Sequence, residues 1–188
     1  MEISMATAHT VINNFTRKGF RMLGNGCYAA VFDSNVDPNL VYKIGVRISD
    51  PFLSYIKQDE LRANPHFPRI YDIMEGDNWY LVKMERLEPI PSHKPFLSNE
   101  IRSLVEEEGD ALVHLNPTKE LVSIAKHIRT LAESLDVKVD LHAGNIMMRG
   151  TTPVITDPLC DYNIYSEWEL ENWFGQKNKG QRNSSWSY

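Results

Sequence analysis

The sequence predicts an α+β fold in two parts, with an antiparallel β-sheet first and mainly helices after it. Two observations carry this prediction. Short apolar runs separated by Gly, Asn, Asp and Pro turns fill residues 20–84, which is typical of hairpin-connected strands. A long helical pattern follows at residues 117–135, and a polar loop between apolar runs comes after it. The two parts would form two small lobes.

Composition narrows the class of protein. The 188 residues suffice for one compact domain or two small lobes, with 42% hydrophobic and 24% charged residues. The net charge of -5 argues against a nucleic-acid partner bound through a basic face. No apolar run approaches the ~18 residues of a membrane helix, and the N-terminus lacks a signal-peptide pattern. Cys27 and Cys160 have no metal-type spacing, so we expect a reducing cytoplasm without disulfides.

The first predicted element is an amphipathic helix in residues 1–18. Val11, Ile12 and Phe15 lie on one side of it, and Gly19 ends it. We expect this helix to brace the first sheet.

A glycine-rich hairpin follows the predicted strand Phe20–Leu23. The segment 24–31 has the pattern Gly-x-Gly-x-x-Ala-x-Val, formed by Gly24, Asn25, Gly26, Ala29 and Val31 among others. Two glycines let backbone N–H groups come close to phosphate oxygens. The chain returns into a strand rather than a helix, which argues against a Rossmann or Walker site. A plain hairpin with a Gly-rich turn is the alternative.

Lys43 lies inside the next apolar strand, Leu40–Ile44. A strand lysine beside a Gly-rich hairpin is placed to meet the α- and β-phosphates of a nucleotide, although a lysine on a solvated strand face is equally compatible. Residues 50–64 predict a helix ended by prolines. A carboxylate from this helix would hold Lys43, with Glu60 the first choice and Asp59 the second. Both could also be surface charges.

Two further strands, Ile70–Met74 and Trp79–Met84, surround a turn, and a proline-rich connection follows them. In a two-lobed kinase such a connection is the hinge, whose backbone meets an adenine edge. Met84, Glu85 and Leu87 are the candidates for this contact. A simple linker between the lobes is the alternative.

Two helices are predicted in the C-terminal half. The first covers Ser98–Glu108 with Ser98 as its cap, and the second is capped by Asn116 with Pro117 at its first position. An apolar stripe at helical spacing predicts that the second helix packs in the core and holds the following loop rigid. The stripe consists of Leu121, Ile124, Ala125, Ile128, Leu131, Ala132 and Leu135. His127 lies off this stripe and is expected at the surface.

The loop after that helix carries the strongest chemical signal. Asp140 is followed five residues later by Asn145, and Asp157 comes twelve residues after Asn145. A carboxylate, then an amide, then a second carboxylate is the order in which kinases place their base and their two Mg²⁺ ligands. Asn and Asp oxygens are the hard ligands that Mg²⁺ prefers.

These segments together resemble the early serine/threonine protein kinases of T7-like bacteriophages. The resemblance covers about residues 19–159. The motifs that carry it are Leu23-Gly24-Asn25-Gly26, Val41-Tyr42-Lys43-Ile44-Gly45, Ile70-Tyr71-Asp72, His142-x-Gly144-Asn145-Ile146-Met147 and Ile155-Thr156-Asp157-Pro158. The resemblance implies a minimal two-lobed protein kinase-like fold, and transfer of the ATP γ-phosphate to Ser/Thr of host proteins in the cytoplasm of the infected bacterium.

The resemblance also implies a role for each site residue. ATP would lie under the hairpin, Lys43 would neutralise phosphate charge, and Asn145 and Asp157 would hold Mg²⁺. Asp140 would orient the acceptor hydroxyl and accept its proton, and His142 would stand near the γ-phosphate. Self-labelling is expected at Ser166, Ser184 or Ser185.

Two other functions remain open at this level. The form Asp-Leu-His-x-Gly-Asn is also similar to aminoglycoside and choline phosphotransferases, and a kinase fold that only binds and blocks a host protein is the third reading. We expect the chain to divide into an N-terminal helix (1–18), an N-lobe with the hinge (19–87), a reduced C-lobe (88–174) and a tail (175–188). The oligomeric state is not predicted.

Overall fold

The structure is a computed structural model that describes residues 7–26, 28–47, 50–106 and 116–161. Cys27, the end of the expected C-lobe (162–174), the tail 175–188 and the three candidate serines Ser166, Ser184 and Ser185 lie outside the described residues. No helix in the described residues is long and apolar enough to cross a membrane.

The N-terminal half forms a five-stranded antiparallel sheet. Its strands are β1 (Met22–Asn25), β2 (Ala29–Asp33), β3 (Leu40–Val46), β4 (Ile70–Glu75) and β5 (Trp79–Glu85), in the order β1-β2-β3-β5-β4. This confirms the α+β class and the last two strands. The first strand begins two residues later than the predicted start at Phe20.

Helix α1 (Ala8–Arg17) packs on the outer face of this sheet. Its Phe15 ring lies 5.5 Å from Phe32 and 5.4 Å from Tyr42, centroid to centroid. The helix ends where predicted, with Gly19 at φ +79, a conformation that glycine adopts without strain. The expected brace is therefore confirmed.

The predicted helix over residues 50–64 is wrong. The chain forms a short helix, α2 (Phe52–Ile56), and then a separate 3₁₀ turn, Asp59–Leu61. Gln58 between them has extended backbone (φ -75, ψ 97), which ends the first helix. Four of the five residues of α2 are buried, because α2 lies against the inner face of the sheet rather than along the surface.

The C-terminal half combines two helices with short strands. These elements are β6 (Glu88–Pro89), α3 (Leu97–Glu106), α4 (Lys119–Leu135), β7 (Lys138–Val139), β8 (Ile146–Arg149), β9 (Thr152–Ile155) and β10 (Leu159–Cys160). Strands β6, β8 and β9 form one small sheet, and β7 pairs with β10 in another.

Both predicted helix caps are wrong. Ser98 is the second residue of α3 and is buried. Thr118 rather than Asn116 caps α4, because its Oγ1 accepts a hydrogen bond from the Leu121 N–H at 3.1 Å and also lies 3.0 Å from His66 Nε2. The predicted apolar stripe of α4 is confirmed except at its end, where Leu135 is exposed.

The loop 64–68 joins the two halves. His66 Nδ1 donates to the Pro153 carbonyl at 2.7 Å, and the Ile155 N–H donates to the His66 carbonyl at 2.9 Å. Arg149 donates to the carbonyls of Pro65 and Phe67. One apolar core runs through both halves, and the proposed boundary at residue 87 stays a prediction.

Candidate active site

Lys43 lies on the inner face of the sheet, with Val31 and Val82 opposite it on the neighbouring strands. Only 6% of the residue is exposed. Its Nζ lies 2.5 Å from Asp157 Oδ2 and 3.5 Å from the centroid of the Phe52 ring. The solvated-face alternative is therefore wrong, and the lysine is held at the junction of the two halves.

Asp157 is the acidic partner in a site with excess negative charge. Burial raises its pKa to about 6, the neighbouring Asp50 and Asp140 carboxylates act in the same direction, and Lys43 opposes them. Its Oδ2 contacts Lys43, while its Oδ1 is buried with no hydrogen-bond partner among the described residues. A buried oxygen without a donor is costly, so this atom is ready for a cationic ligand.

Backbone pairing brings Asp140 next to the Asp157 segment. Strand β7 ends just before Asp140, and β10 begins just after Pro158. The Asp140 N–H donates to the Pro158 carbonyl at 2.7 Å. Two segments whose carboxylates are 17 positions apart in sequence are thus held next to each other.

Asn145 stabilises the Asp140 loop through hydrogen bonds to Asp140 and Thr156. Its Nδ2 donates to the Asp140 carbonyl at 2.7 Å, and its own carbonyl accepts from both the N–H and the hydroxyl of Thr156 at 2.9 Å. Because the amide nitrogen is used for the loop, the orientation leaves Oδ1 as a possible metal ligand.

His142 is the exposed member of the loop. Its Nδ1 accepts from the Gly144 N–H at 3.0 Å, so in the neutral ring the proton is on Nε2, which lies 3.9 Å from Asp140 Oδ2. An added Cβ at Gly144 would lie 2.8 Å from His142 Cε1, so a larger residue there would push the exposed imidazole aside. The glycine therefore sets the direction of the imidazole.

These residues fit Mg²⁺ as part of a nucleotide complex. No group of three His, Cys, Asp or Glu side chains in the described residues could hold a metal ion alone. Asn145, Asp157 and phosphate oxygens would form the ligand set, with Asp157 Oδ1 as the available buried oxygen. Three carboxylates against one lysine leave negative charge that a divalent cation would balance.

The Gly-rich hairpin forms as predicted. Gly24 pairs with Val31 and Asn25 with Ala30, and the Gly26 N–H donates to the Ala29 carbonyl at 2.8 Å. Neither glycine has a positive φ, and a Cβ on Gly24 would meet nothing within 4 Å. The turn itself does not need these glycines, so their effect is to leave the hairpin surface open.

The hairpin also contacts the far side of the site. The Tyr28 hydroxyl donates to the Asp161 carbonyl at 2.5 Å, which joins the hairpin to the segment after Asp157. No local pattern predicts this contact, because the two residues are 133 positions apart in the chain.

Comparison with known families agrees with this geometry. The sequence profile of the family described as "Bacteriophage T7 protein kinase 0.7" matches residues 4–172. The chain belongs to this phage kinase family. A comparison with curated proteins finds no match.

A similar solved structure is described as "Crystal structure of Rad53 1-466 in complex with AMP-PNP". It is 16% identical in sequence with a TM-score of 0.41. The match covers 76% of the present chain and 38% of the Rad53 chain, so the phage chain spans well under half of that structure.

In this family member the expected hinge residues have different environments. Met84 is buried on the inner face. The Glu85 carboxylate accepts from Arg149 and from the Arg69 N–H, and its own N–H donates to the Arg69 carbonyl. Its side chain therefore joins the lobes and is not free to meet a nucleotide, while Leu87 is half-buried.

The predicted Lys43–Glu60 pair is not formed. Glu60 has a 65% exposed side chain whose neighbour is His127 at 3.7 Å, and Asp59 is 82% exposed and pairs with Arg62 at 2.7 Å. Both lie on the 3₁₀ turn beyond Gln58, which points away from the sheet. His127, which was expected at the surface, is half-buried against Gln58 at 3.2 Å.

Asp50 and Tyr80 belong to the site and were missed from the sequence. Asp50 is 6% exposed, and it accepts hydrogen bonds from the Tyr80 hydroxyl and, at 2.9 Å, from the Phe52 N–H. Gly45 makes room for this tyrosine, since a Cβ there would collide with the phenol ring. An Asp ahead of Pro51 and an apolar run signals a helix start, but nothing local shows that it faces a lysine.

Proposed function

We propose that this chain is an ATP-dependent serine/threonine protein kinase that phosphorylates host bacterial proteins, and itself, in the cytoplasm of the infected cell. The observation that supports this most strongly is the ion pair between the buried Lys43 and the partly exposed Asp157 beside an open Gly-rich hairpin, with Asp140 and Asn145 fixed next to it. Family membership supports the same reaction class.

The position of each site residue indicates which part of the nucleotide it would contact. Lys43 neutralises phosphate charge from the inner face of the sheet, while Ala29, Val31 and Met84 contribute apolar surface for a base. Asn145 and Asp157 would hold Mg²⁺, and when bound this ion withdraws charge from the phosphate oxygens. The hairpin surface at Gly24–Gly26 has no side chain in the way, so the same phosphates can approach its backbone closely.

Asp140 and His142 face the acceptor side. The Asp140 carboxylate is 34% exposed and can orient a hydroxyl and take its proton. His142 directs its Nε2–H toward the same region and can donate to a phosphate oxygen. Positioning and charge stabilisation supply most of the catalysis in phosphoryl transfer.

A small-molecule phosphotransferase is the second candidate, since the exposed His142 beside Asp140 belongs to the Asp-Leu-His-x-Gly-Asn form. Radiolabelled ATP should be incubated with the protein alone and with a bacterial lysate, followed by gel separation and phosphoamino-acid analysis. Label on phosphoserine or phosphothreonine supports the proposal. Labelled small molecules alone favour the second candidate. No label, together with tight binding of one host protein, indicates a binding inhibitor.

Asp140→Asn tests the proposed acid–base role directly. The amide keeps the size of the side chain but loses its charge, so Mg-ATP should bind nearly normally. Transfer should fall by at least about a hundredfold, because general-base and positioning roles are typically worth ~10²–10⁴-fold. Asp77→Asn, on an exposed turn, is the matched control. Parental transfer by Asp140→Asn would exclude this role.

A further inference from the structure

Asp50 is a buried carboxylate that the proposed mechanism does not yet use. It follows the end of β3 and precedes α2, and 6% of the residue is exposed. Its two oxygens accept from the Phe52 N–H and the Tyr80 hydroxyl. A charge so deeply buried is costly unless donors or a cation compensate it.

Two routes of contact lead from Asp50 to Lys43. The Lys43 ammonium lies over the Phe52 ring at 3.5 Å, and the N–H of the same Phe52 donates to Asp50. On the other side, Tyr80 donates to Asp50 and passes over Gly45, which is two residues from Lys43 on the same face of β3. Phe52 and Tyr80 also touch each other, with centroids 5.7 Å apart.

Contacts also connect Asp50 to Asp157, the carboxylate that pairs with Lys43. Asp50 accepts from Tyr80, Tyr80 packs on Phe52, and Lys43 lies over Phe52 and contacts Asp157. Burial and then the Asp50 charge raise the pKa of the Tyr80 hydroxyl, so the Asp50 charge acts within this group.

Lys43 needs a second carboxylate if Asp157 is to serve a metal. In the structure the lysine pairs with Asp157 alone among the described acidic side chains within ion-pair distance. If the Asp157 carboxylate binds Mg²⁺, the buried Lys43 ammonium would lose part of its compensating charge and would be destabilised without another anion nearby. Glu60 and Asp59 are exposed and turned away, which leaves Asp50 as the buried carboxylate on the Lys43 side.

We propose that Asp50 is a positioning residue that holds the Lys43 ammonium in place for the nucleotide phosphates, with Tyr80 fixing the direction of its carboxylate. This extends the proposed function and rests on it for its role in transfer. The carboxylate comes from the β3–α2 connection rather than from the 3₁₀ turn where the sequence suggested it.

A double-mutant cycle on the protein without nucleotide or metal tests the contact itself. The unfolding equilibrium is measured in urea for the parent, Asp50→Asn, Lys43→Met and the double variant. If the Asp50 charge acts on Lys43, Asp50→Asn should be at least about fivefold less damaging to the unfolding equilibrium constant in the Lys43→Met background. If Asp50 is only a partner of Tyr80 and Phe52, the two effects should multiply without coupling, and the proposal is overturned.

A phosphate-transfer assay tests whether Asp50 contributes to the reaction. Asp50→Asn should lower kcat/KM for ATP by about tenfold or more with the thermal transition still cooperative, whereas Asp59→Asn, an exposed carboxylate on the neighbouring turn, should match the parent. If Asp50→Asn does not fold, Tyr80→Phe replaces it in both the unfolding cycle and the transfer assay. The proposal is then overturned if Tyr80→Phe and Lys43→Met affect unfolding independently and Tyr80→Phe has the parental kcat/KM.

Failure of this inference can be told from failure of the proposed function. A parent protein that transfers no phosphate contradicts the proposed function, but the unfolding cycle still decides whether Asp50 acts on Lys43. A parent that transfers phosphate, with an uncoupled cycle and a fully active Asp50→Asn, overturns the inference alone.

Discussion

The two faces of the five-stranded sheet are built from alternate residues of the same strands, yet their composition differs sharply. On the outer face Ala30, Phe32 and Ile44 are fully buried and pack in an apolar cluster with Val11, Ile12 and Phe15 of α1. On the inner face Lys43 and Tyr80 are equally buried, but they bring an ammonium and a hydroxyl to the junction with the C-terminal half.

This difference shows that burial alone does not indicate what a sheet face does. The outer face needs only the right volumes, since apolar packing is largely non-directional. The inner face holds charges at positions where each must have a partner, and any member that is removed leaves another unpaired. Substitutions on the outer face should therefore affect stability, and substitutions on the inner face should affect chemistry first.

Phe32→Ala should show the largest effect on stability. Deleting a fully buried phenyl ring typically costs about 3–5 kcal/mol, because apolar contacts are lost and a cavity remains. The melting temperature should fall by roughly 10 °C in a protein of this size. Val36→Ala, at a position that is 89% exposed, should leave the melting temperature unchanged. An unchanged melting temperature for Phe32→Ala would contradict the packing of α1 on this face.

Lys43→Met should lower phosphate transfer by at least about a hundredfold, since the charge that meets the phosphates is removed. The variant should still fold, because the Met side chain fills the space over Phe52, but its melting temperature should be lower than that of the parent, since the Asp157 carboxylate loses its cation. Lys83→Met is a matched control, as Lys83 lies on β5 opposite Tyr42 of the outer face. Equal transfer rates for the two variants would remove the distinction between the faces.

The smallest expected effect is a pH dependence due to Asp157. Its pKa of about 6 in the folded protein lies above the ordinary value of 3.8, so the folded state binds the proton more tightly than the unfolded chain. Asp157 stabilises the folded state fully at pH values below its unfolded-state pKa of 3.8. This stabilisation is lost as the pH rises through the folded-state pKa of about 6. The slope is at most about 1.4 kcal/mol per pH unit.

Urea unfolding of the nucleotide-free protein between pH 4 and 7 measures this effect. The difference in unfolding free energy between the parent and Asp157→Asn should decrease as the pH rises, because the variant has no proton to lose at this position. A difference that stays constant over the range would mean that burial, together with the Asp50 and Asp140 charges, does not raise the pKa of Asp157.

Local pattern was sufficient to predict most of the scaffold. Strands β4 and β5, the helix α1 and the stripe on α4 follow from alternation, helical spacing and glycine positions, which are properties of neighbouring residues. The order of Asp140, Asn145 and Asp157 was equally visible, because each lies in a short motif beside an apolar run.

The predictions that were wrong depended on contacts between distant residues. Residues 50–64 have helical composition, but Phe52 and Tyr55 pack into the core against the inner face of the sheet. The helix therefore ends before Gln58, whose backbone is extended. The cap of α4 is Thr118 rather than the predicted Asn116. Thr118 contacts both the Leu121 N–H and His66, which lies 52 positions earlier in the chain.

The sequence by itself determined the α+β class, the order of the elements and the residue types that can bind a metal and phosphates. Only the tertiary structure decided how the carboxylates stand toward Lys43: Asp157 contacts it, Asp50 is buried and bonded to the Phe52 that packs on it, and Glu60 is exposed to solvent. The physical reason is that periodicity reports which side of its own element a residue occupies, whereas an ion pair between residues 114 positions apart depends on how the elements pack.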